Sequence, residues 1–111
     1  MLAKARRLSA KQVQAVLRSG LRARSPLLSC RFVGAREGES AFAAVVPLRI
    51  AGAVVKRNKL RRALYDAIAS APKPPVKAVV MLEKNPTGEL APSLRADLAD
   101  LFTQIRSAKR T

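Results

Sequence analysis

The chain has no histidine, no tryptophan and only one cysteine among its 111 residues. Without histidine the most common general base is missing, and one cysteine cannot complete a disulfide or a Cys/His metal site. The seven carboxylates are scattered and do not resemble the carboxylate set of a two-metal nuclease. These absences argue against a catalytic centre built from protein side chains.

Aromatic and acidic residues are also scarce. The aromatic residues are Phe32, Phe42, Tyr65 and Phe102, too few for a platform that stacks on single-stranded bases. Seven acidic residues stand against 22 lysines and arginines, which gives a formal net charge of +15. Such an excess repels itself in a compact fold. We therefore expect a polyanionic partner, with nucleic acid ahead of an anionic membrane surface.

No apolar run approaches the ~20 residues that span a membrane, and basic residues interrupt the N-terminus where a signal peptide would be apolar. The acid-free stretch before Glu37 has the composition of a transit peptide, but its helix-boundary signals favour a folded domain. Cys30 lies in an apolar run, which predicts a buried structural thiol and a reducing, cytoplasmic environment. With 49% hydrophobic residues, the chain should form one domain with a modest core.

Local signals predict a first helix at residues 10–19. Ser9 can serve as the N-cap, and Gln12 three residues later completes the capping-box pattern. Gly20 suits the left-handed position that commonly ends a helix.

Two strands are predicted at residues 27–33 and 41–48, with the polar segment 34–39 between them as a hairpin connection. Because Pro47 lacks an N–H donor, the second strand should end there or lie at a sheet edge. The β-branched run at residues 76–82 predicts a third strand.

A second helix is predicted at residues 54–70, ending before the proline-rich segment 71–75. An amphipathic third helix follows, with Ser93 as its expected N-cap. The order α-β-β-α-β-α predicts an α+β fold in which helices pack on one small sheet.

The run from Gly52 to Arg62 is the most informative part of the sequence. Five of its last seven residues are cationic, and the other two are an asparagine and a leucine. With the 3.6-residue period of a helix, the apolar side chains, including Leu60 and Leu64, fall within an arc of about 100°. The opposite face carries Asn58, Arg61, Arg62 and Tyr65, with Lys59 at its edge.

This face has the chemistry of a nucleic-acid surface rather than of a merely solvated one. Arginine can hold a phosphate bidentately, and asparagine can donate and accept hydrogen bonds beside it. Arg57 falls inside the apolar arc, so either the first turn is irregular or this side chain points along the N-terminal end of the helix. Further cationic sites flank the first helix: Lys4, Arg6, Arg7, Arg22 and Arg24.

The spacing of Gly52, Arg57-Asn58 and Arg61-Arg62, with Leu60 at an aliphatic position, resembles the signature of the bacterial ribonuclease P protein component. Arg7-Leu8 and Gly20 match the boundaries of that family's first helix. The resemblance extends over most of the chain, although only the central motif is specific.

The resemblance implies an α+β fold with a left-handed β-α-β crossover, similar to a small-subunit ribosomal protein domain. Residues 1–111 would form a single domain with a basic arm at residues 1–8. Its implied function is that of the RNA-binding subunit of ribonuclease P, a ribozyme that removes 5′ leaders from precursor tRNA. The implied partners are the catalytic RNA and precursor tRNA, with no membrane and no obligate protein partner, and Mg²⁺ would be bound mainly by the RNA.

The resemblance also assigns two sets of site residues. The RNA-binding set is Arg49, Lys56, Arg57, Asn58, Lys59, Arg61, Arg62 and Tyr65. The set for the substrate-leader cleft is Arg6, Arg7, Val13, Leu17, Arg31 and Phe32. Val13 and Leu17 stand where the family has phenylalanines, so we expect weaker or less selective contact with the leader.

Two other functions remain as alternatives. A structural rRNA-binding protein of ribosomal type would share the size, charge and fold class. A DNA-binding protein is less consistent with the sequence, because the first two helices are separated by strands and do not form a helix-turn-helix.

Overall fold

The computed structural model describes residues 2, 6–86 and 88–109, with Lys109 described by its backbone only. The elements are α1 (Ala10–Ser19), β1 (Leu21–Arg24), β2 (Leu28–Gly34), β3 (Ala41–Val45), α2 (Val54–Ser70), β4 (Val76–Leu82) and α3 (Leu90–Lys109). The strands form one sheet in the order β1-β2-β4-β3, in which β3 and β4 are parallel and the other pairs antiparallel. The expected α+β class is confirmed.

The boundaries of α1 and α2 agree with the sequence signals. At the start of α1 the Ser9 hydroxyl accepts a hydrogen bond from the Gln12 N–H, and the Gln12 side chain accepts one from the Ser9 N–H. At the end of α2 the Lys73 ammonium donates to the carbonyls of Ala69 and Ala71, which have no partner within the helix.

The expected N-cap of α3 is wrong, because this helix begins at Leu90 and includes Ser93. Pro92 does not prevent the earlier start, since a helix leaves the N–H groups of its first turn without intrahelical partners.

Gly20 ends α1 for a different reason from the one predicted. Its backbone is extended, with φ −73° and ψ 152°, so it does not adopt the left-handed conformation. A Cβ atom at this position would lie 2.6 Å from the carbonyl oxygen of Val16 and 3.0 Å from the backbone nitrogen of Phe32. Glycine is required here because the end of α1 passes directly over β2.

The strand β1 was not predicted from the sequence, and the predicted pairing of the next two strands is wrong. β2 and β3 do not form a hairpin, because β4 lies between them and pairs with both. β3 ends at Val45, three residues before the predicted end at residue 48, and it lies at a sheet edge, which agrees with the alternatives that Pro47 left open. The segment between β2 and β3 therefore crosses β4, which lies between them in the sheet.

The described part of the N-terminal arm is attached to the outer edge of β3. The Leu8 N–H donates to the carbonyl of Phe42, and Arg7 forms a bridge with the same residue. Arg6 donates to the carbonyl of Gly38 at 2.7 Å. Lys4 lies outside the described residues. These contacts fix Arg6 and Arg7 relative to the sheet.

The two faces of the sheet differ strongly. One face packs against α2 and α3 through the main core, where the Phe42 and Phe102 rings lie 5.5 Å apart. The other face carries a small cluster of Val16, Ala43 and Val79 beneath α1. Because this cluster is small, α1 leaves part of its face of the sheet open.

Side chains of α3 hold the edge strand β1 in position. The Asp97 carboxylate accepts hydrogen bonds from the Ser25 hydroxyl and from the Leu27 N–H. The Gln104 side chain accepts from the Arg24 N–H and donates to the Arg24 carbonyl. These bonds fix the backbone that carries the arginines of β1.

The thiol of Cys30 is buried in the main core, which confirms the expectation of a structural cysteine. Burial raises its pKa from 9.0 to about 12. At pH 8 this lowers the thiolate fraction by roughly a thousandfold, and the thiolate is the reactive form.

We predict that a disulfide reagent modifies the Cys30 thiol of the native protein at least a hundredfold more slowly than the same thiol of the chain unfolded in guanidinium. Equal rates would contradict this prediction.

Candidate nucleic-acid interface

The two faces of α2 lie where the helical periodicity predicts. Leu60 and Leu64 are buried in the main core, whereas Asn58, Arg61 and Arg62 are exposed. Arg61 donates a hydrogen bond to the Asn58 side-chain oxygen at 3.3 Å. This contact orients the guanidinium and leaves the amide group of Asn58 able to donate to a ligand.

Arg57, which falls inside the apolar arc, turns back along the helix. Its N–H bonds to the carbonyl of Ala53 at 3.0 Å, as in a regular helix, so an irregular first turn is excluded. Its guanidinium donates to the carbonyl of Gly52 at 3.4 Å. Arg57 therefore places its charge at the N-terminal end of α2, as predicted for the case in which the first turn is regular.

The cationic face of α2 forms one wall of a groove of about 710 Å³. The opposite wall comes from the N-terminal segment and the start of α1. We call this the helix groove; it is lined by Leu2, Arg7, Leu8, Ser9, Gln12, Ala44, Asn58, Arg61, Arg62, Tyr65 and Asp66. The Arg7 guanidinium carbon lies 6.0 Å from the centre of the half-buried Tyr65 ring. Three arginines and one aromatic ring thus line a single surface, a combination suited to a nucleic-acid backbone.

The remaining residues of the RNA-binding set lie outside the lining of this groove. Lys56 and Lys59 are exposed on α2. Arg49 pairs with Glu83, with 2.8 Å between Nη2 and Oε2, so part of its charge is already balanced.

A second groove, of about 500 Å³, lies on the open part of the sheet beside the end of α1. We call it the sheet groove; it is lined by Leu17, Arg22, Ala23, Arg24, Ser29, Cys30, Arg31, Val79, Met81, Glu83 and Gln104. Its floor follows the strand register. Arg22 pairs with Arg31, which pairs with Val79, and in the next row Arg24 pairs with Ser29, which pairs with Met81. The floor therefore changes from cationic on β1 to apolar on β4.

The residues predicted for a leader cleft are distributed among several environments. Leu17, which is 38% exposed, and Arg31 line the sheet groove. Val13 packs on the small cluster beneath α1. Arg7 belongs instead to the helix groove. Arg6 is held by the segment that precedes β3, through the carbonyls of Gly38 and Ser40.

The placement of Phe32 in a cleft requires correction. Its side chain is 1% exposed and belongs to the main core, on the face covered by α2 and α3. Successive side chains of a strand point to opposite faces, so Arg31 on the groove side excludes Phe32 from it.

Sequence reasoning missed Ser29, Met81 and Glu83 as groove residues. Strand parity could have identified Ser29, since it alternates with the apolar Leu28 and Cys30. No local signal could have paired Glu83 with Arg49, which lies 34 positions earlier.

Within residues 2, 6–86 and 88–109, no group of three or more cysteine or acidic side chains could hold a metal ion. Among the helices of that same part of the chain, none is long and apolar enough to span a bilayer.

The fold is shared with solved structures of one protein. Over 92% of this chain and 96% of the other, the structure superposes on RNase P protein from Staphylococcus aureus with a TM-score of 0.72 at 14% identity. A mutant of the S. aureus RNase P protein with defective mRNA degradation activity gives a TM-score of 0.76 at 16% identity, over 93% of this chain and 90% of the other. No protein-family model and no curated sequence matches the chain. At these identities the likeness establishes the fold.

Proposed function

We propose that this chain is the RNA-binding protein subunit of ribonuclease P, which assists a catalytic RNA in removing the 5′ leader of precursor tRNA. The observation that carries the proposal is the cationic face of α2. Asn58, Arg61 and Arg62 stand exposed along one wall of the helix groove, on a fold shared with RNase P protein. The spacing of these residues matches the family signature, which a general solvated helix face would not need.

In this proposal the α2 face binds the catalytic RNA. Arg61 and Arg62 contact phosphates, with Asn58 oriented by Arg61 as an additional hydrogen-bonding group. Arg7 on the opposite wall extends the contact across the groove. The net charge of +15 would guide association and would make assembly strongly dependent on salt.

The sheet groove is the proposed site of the single-stranded leader. Arg22, Arg24 and Arg31 provide cations for its phosphates, and Leu17 with Met81 provides apolar contact. Its aromatic content is low, because the nearest strand aromatic, Phe32, faces the other side of the sheet. Weak stacking on the leader is therefore part of the proposal.

The chemical step belongs to the RNA in this proposal. Mg²⁺ would be bound mainly by RNA phosphates and would supply the charge stabilisation for phosphodiester hydrolysis. The protein side chains bind, orient and neutralise charge. Cys30, the one thiol, is buried and protonated, so it takes no part as a nucleophile.

The direct test is reconstitution. We would sequence the RNA that co-purifies with the protein from its source cell, then measure cleavage of precursor tRNA by that RNA at low Mg²⁺ with and without the protein. We expect a structured RNA with ribozyme activity and at least tenfold stimulation, because the protein replaces part of the charge screening that Mg²⁺ provides.

An unrelated protein of similar net charge serves as the control for non-specific screening. Equal stimulation by that protein would contradict the proposal. Co-purification with ribosomal subunits in place of a ribozyme would favour the ribosomal alternative.

A further inference from the structure

The sheet groove contains one acidic side chain among its arginines. Glu83 directly follows β4, and its backbone N–H bonds to the carbonyl of Leu27, which continues the strand pairing by one residue. The alternation of β4 therefore places Glu83 on the same face as Val79 and Met81. In a groove that binds a polyanion, a carboxylate repels phosphates. Phosphates should then lie over Arg22 and Arg24, with a base directed toward Glu83.

The Glu83 carboxylate is held in a defined orientation. Ser29 donates to its Oε1 at 3.2 Å. Arg49 donates from one nitrogen to Oε1 at 3.2 Å and to Oε2 at 2.8 Å, and from the other nitrogen to the Glu83 backbone carbonyl at 3.2 Å. The side chain of Glu83 is 20% exposed, so it is fixed yet accessible from the groove.

The number of acceptor positions determines which base could bind. An ionised carboxylate only accepts hydrogen bonds and has about four lone-pair sites. One nitrogen of Arg49 contacts both oxygens, so it lies in front of the carboxylate edge that a pair of adjacent donors would use. Arg49 is 55% exposed, and an exposed ion pair contributes little to stability, so a ligand can displace this nitrogen while the other keeps its bond to the Glu83 carbonyl. Ser29 then still occupies one site on Oε1, and each oxygen has an acceptor site for a ligand.

We propose that the sheet groove binds a guanine base of a single-stranded RNA segment, with Glu83 as the residue that determines this specificity. Guanine presents two adjacent donors, N1–H and the N2 amino group, which match the two carboxylate oxygens. Adenine and cytosine place a ring acceptor beside their amino group, and uracil has one N–H between two carbonyls. Only guanine satisfies both oxygens without placing an acceptor against the carboxylate.

For the leader of precursor tRNA, this inference rests on the proposed function, because that function supplies the RNA segment. It differs from the expectation of less selective leader contact, which rested only on the absence of aromatic rings at Val13 and Leu17. With few rings to stack on a base, discrimination in this groove depends on hydrogen bonds to the base edge.

The first experiment measures binding of the full-length protein to fluorescent pentaribonucleotides UUGUU, UUAUU, UUCUU and UUUUU by anisotropy. We expect UUGUU to bind about tenfold more tightly than the others, which is the scale of discrimination by a good bidentate base contact. In Glu83→Gln one acceptor oxygen is lost, and in Glu83→Asp the carboxylate is withdrawn by one methylene. Both variants should reduce the preference to less than about twofold, since each breaks the paired contact.

Asp100→Asn is the matched control, because it removes one exposed carboxylate from α3 with the same change in net charge. It should retain the preference for UUGUU. Circular dichroism of each variant confirms folding. Equal binding of the four RNAs to the original protein, or an unchanged guanine preference in both Glu83 variants, would overturn the inference.

A second experiment uses the protein assembled with its RNA and precursor tRNAs with randomised leaders. One leader position should be enriched in guanine among the fastest-cleaved substrates, and the enrichment should disappear in Glu83→Gln. If assembly itself fails while the pentanucleotide preference is present and depends on Glu83, the proposed function is wrong and the guanine site stands. If assembly succeeds without any guanine preference, the guanine site is wrong.

Discussion

Gly20→Ala is expected to destabilise the protein by about 2 kcal/mol, within the range for forcing atoms into a packed position. The added methyl group would lie 2.6 Å from the Val16 carbonyl oxygen and 3.0 Å from the Phe32 nitrogen. Both are backbone atoms of regular elements, so neither can move without disturbing α1 or β2. Urea unfolding followed by circular dichroism measures the change.

Two variants separate this steric explanation from a conformational one. Gly52→Ala is the matched control, because the nearest atom to its added Cβ is 4.0 Å away, and its stability should change by less than about 0.5 kcal/mol. Gly20→Asn distinguishes the causes. Asparagine tolerates a left-handed backbone, so it would be accepted if conformation were the reason for glycine, whereas crowding predicts a loss at least as large as that of alanine. A wild-type unfolding midpoint for Gly20→Ala would refute the steric explanation.

On the proposed function, the double variant Arg61→Ala/Arg62→Ala should weaken assembly with the catalytic RNA by about 2–6 kcal/mol, since one specific arginine contact is worth about 1–3 kcal/mol. The slope of log affinity against log salt should become shallower by about 2, because two fewer phosphates are neutralised. Filter binding or anisotropy over a series of salt concentrations measures both quantities. Both arginines are exposed, so protein stability should stay within about 0.5 kcal/mol.

Arg95→Ala provides the control for charge alone. Arg95 is exposed on α3, outside the lining of both grooves, and its removal lowers the net charge by one at a helical position. We expect a small loss of affinity with nearly unchanged salt dependence. If Arg95→Ala weakens assembly as much as Arg61→Ala alone, binding follows net charge and the α2 face has no special role.

The helices could be predicted closely because their signals are local. The capping box at Ser9 and the apolar period of α2 act over three to eight residues and do not depend on the rest of the fold. The predicted start of α3 is the exception. Ser93 has the chemistry of an N-cap, but the helix has already begun at Leu90. β1 was missed because four residues give too short an alternation.

The sheet order and part of the site depend on distant contacts, which no local pattern encodes. The polar connection after β2 is compatible with a hairpin, and only the parallel pairing of β3 with β4 excludes it. The cationic face of α2 lies on a single helix, so it could be predicted from the helical period. The place of Glu83 in the sheet groove could not be predicted, because it depends on contacts with Ser29 and Arg49, which lie far away in the sequence.

The central position of β4 has a consequence for how the chain folds. Leu28 pairs with Leu82, 54 positions later, and β3 gains its one strand neighbour only from β4. The sheet therefore cannot close until residues 76–82 are available, and such distant pairing slows folding relative to a helical protein of the same size. An isolated helix as short as the ten-residue α1 is marginal in water, and most helical stability comes from packing of the apolar face. The helices should therefore become stable only when β4 completes the sheet, so a chain that ends before residue 76 is not expected to fold.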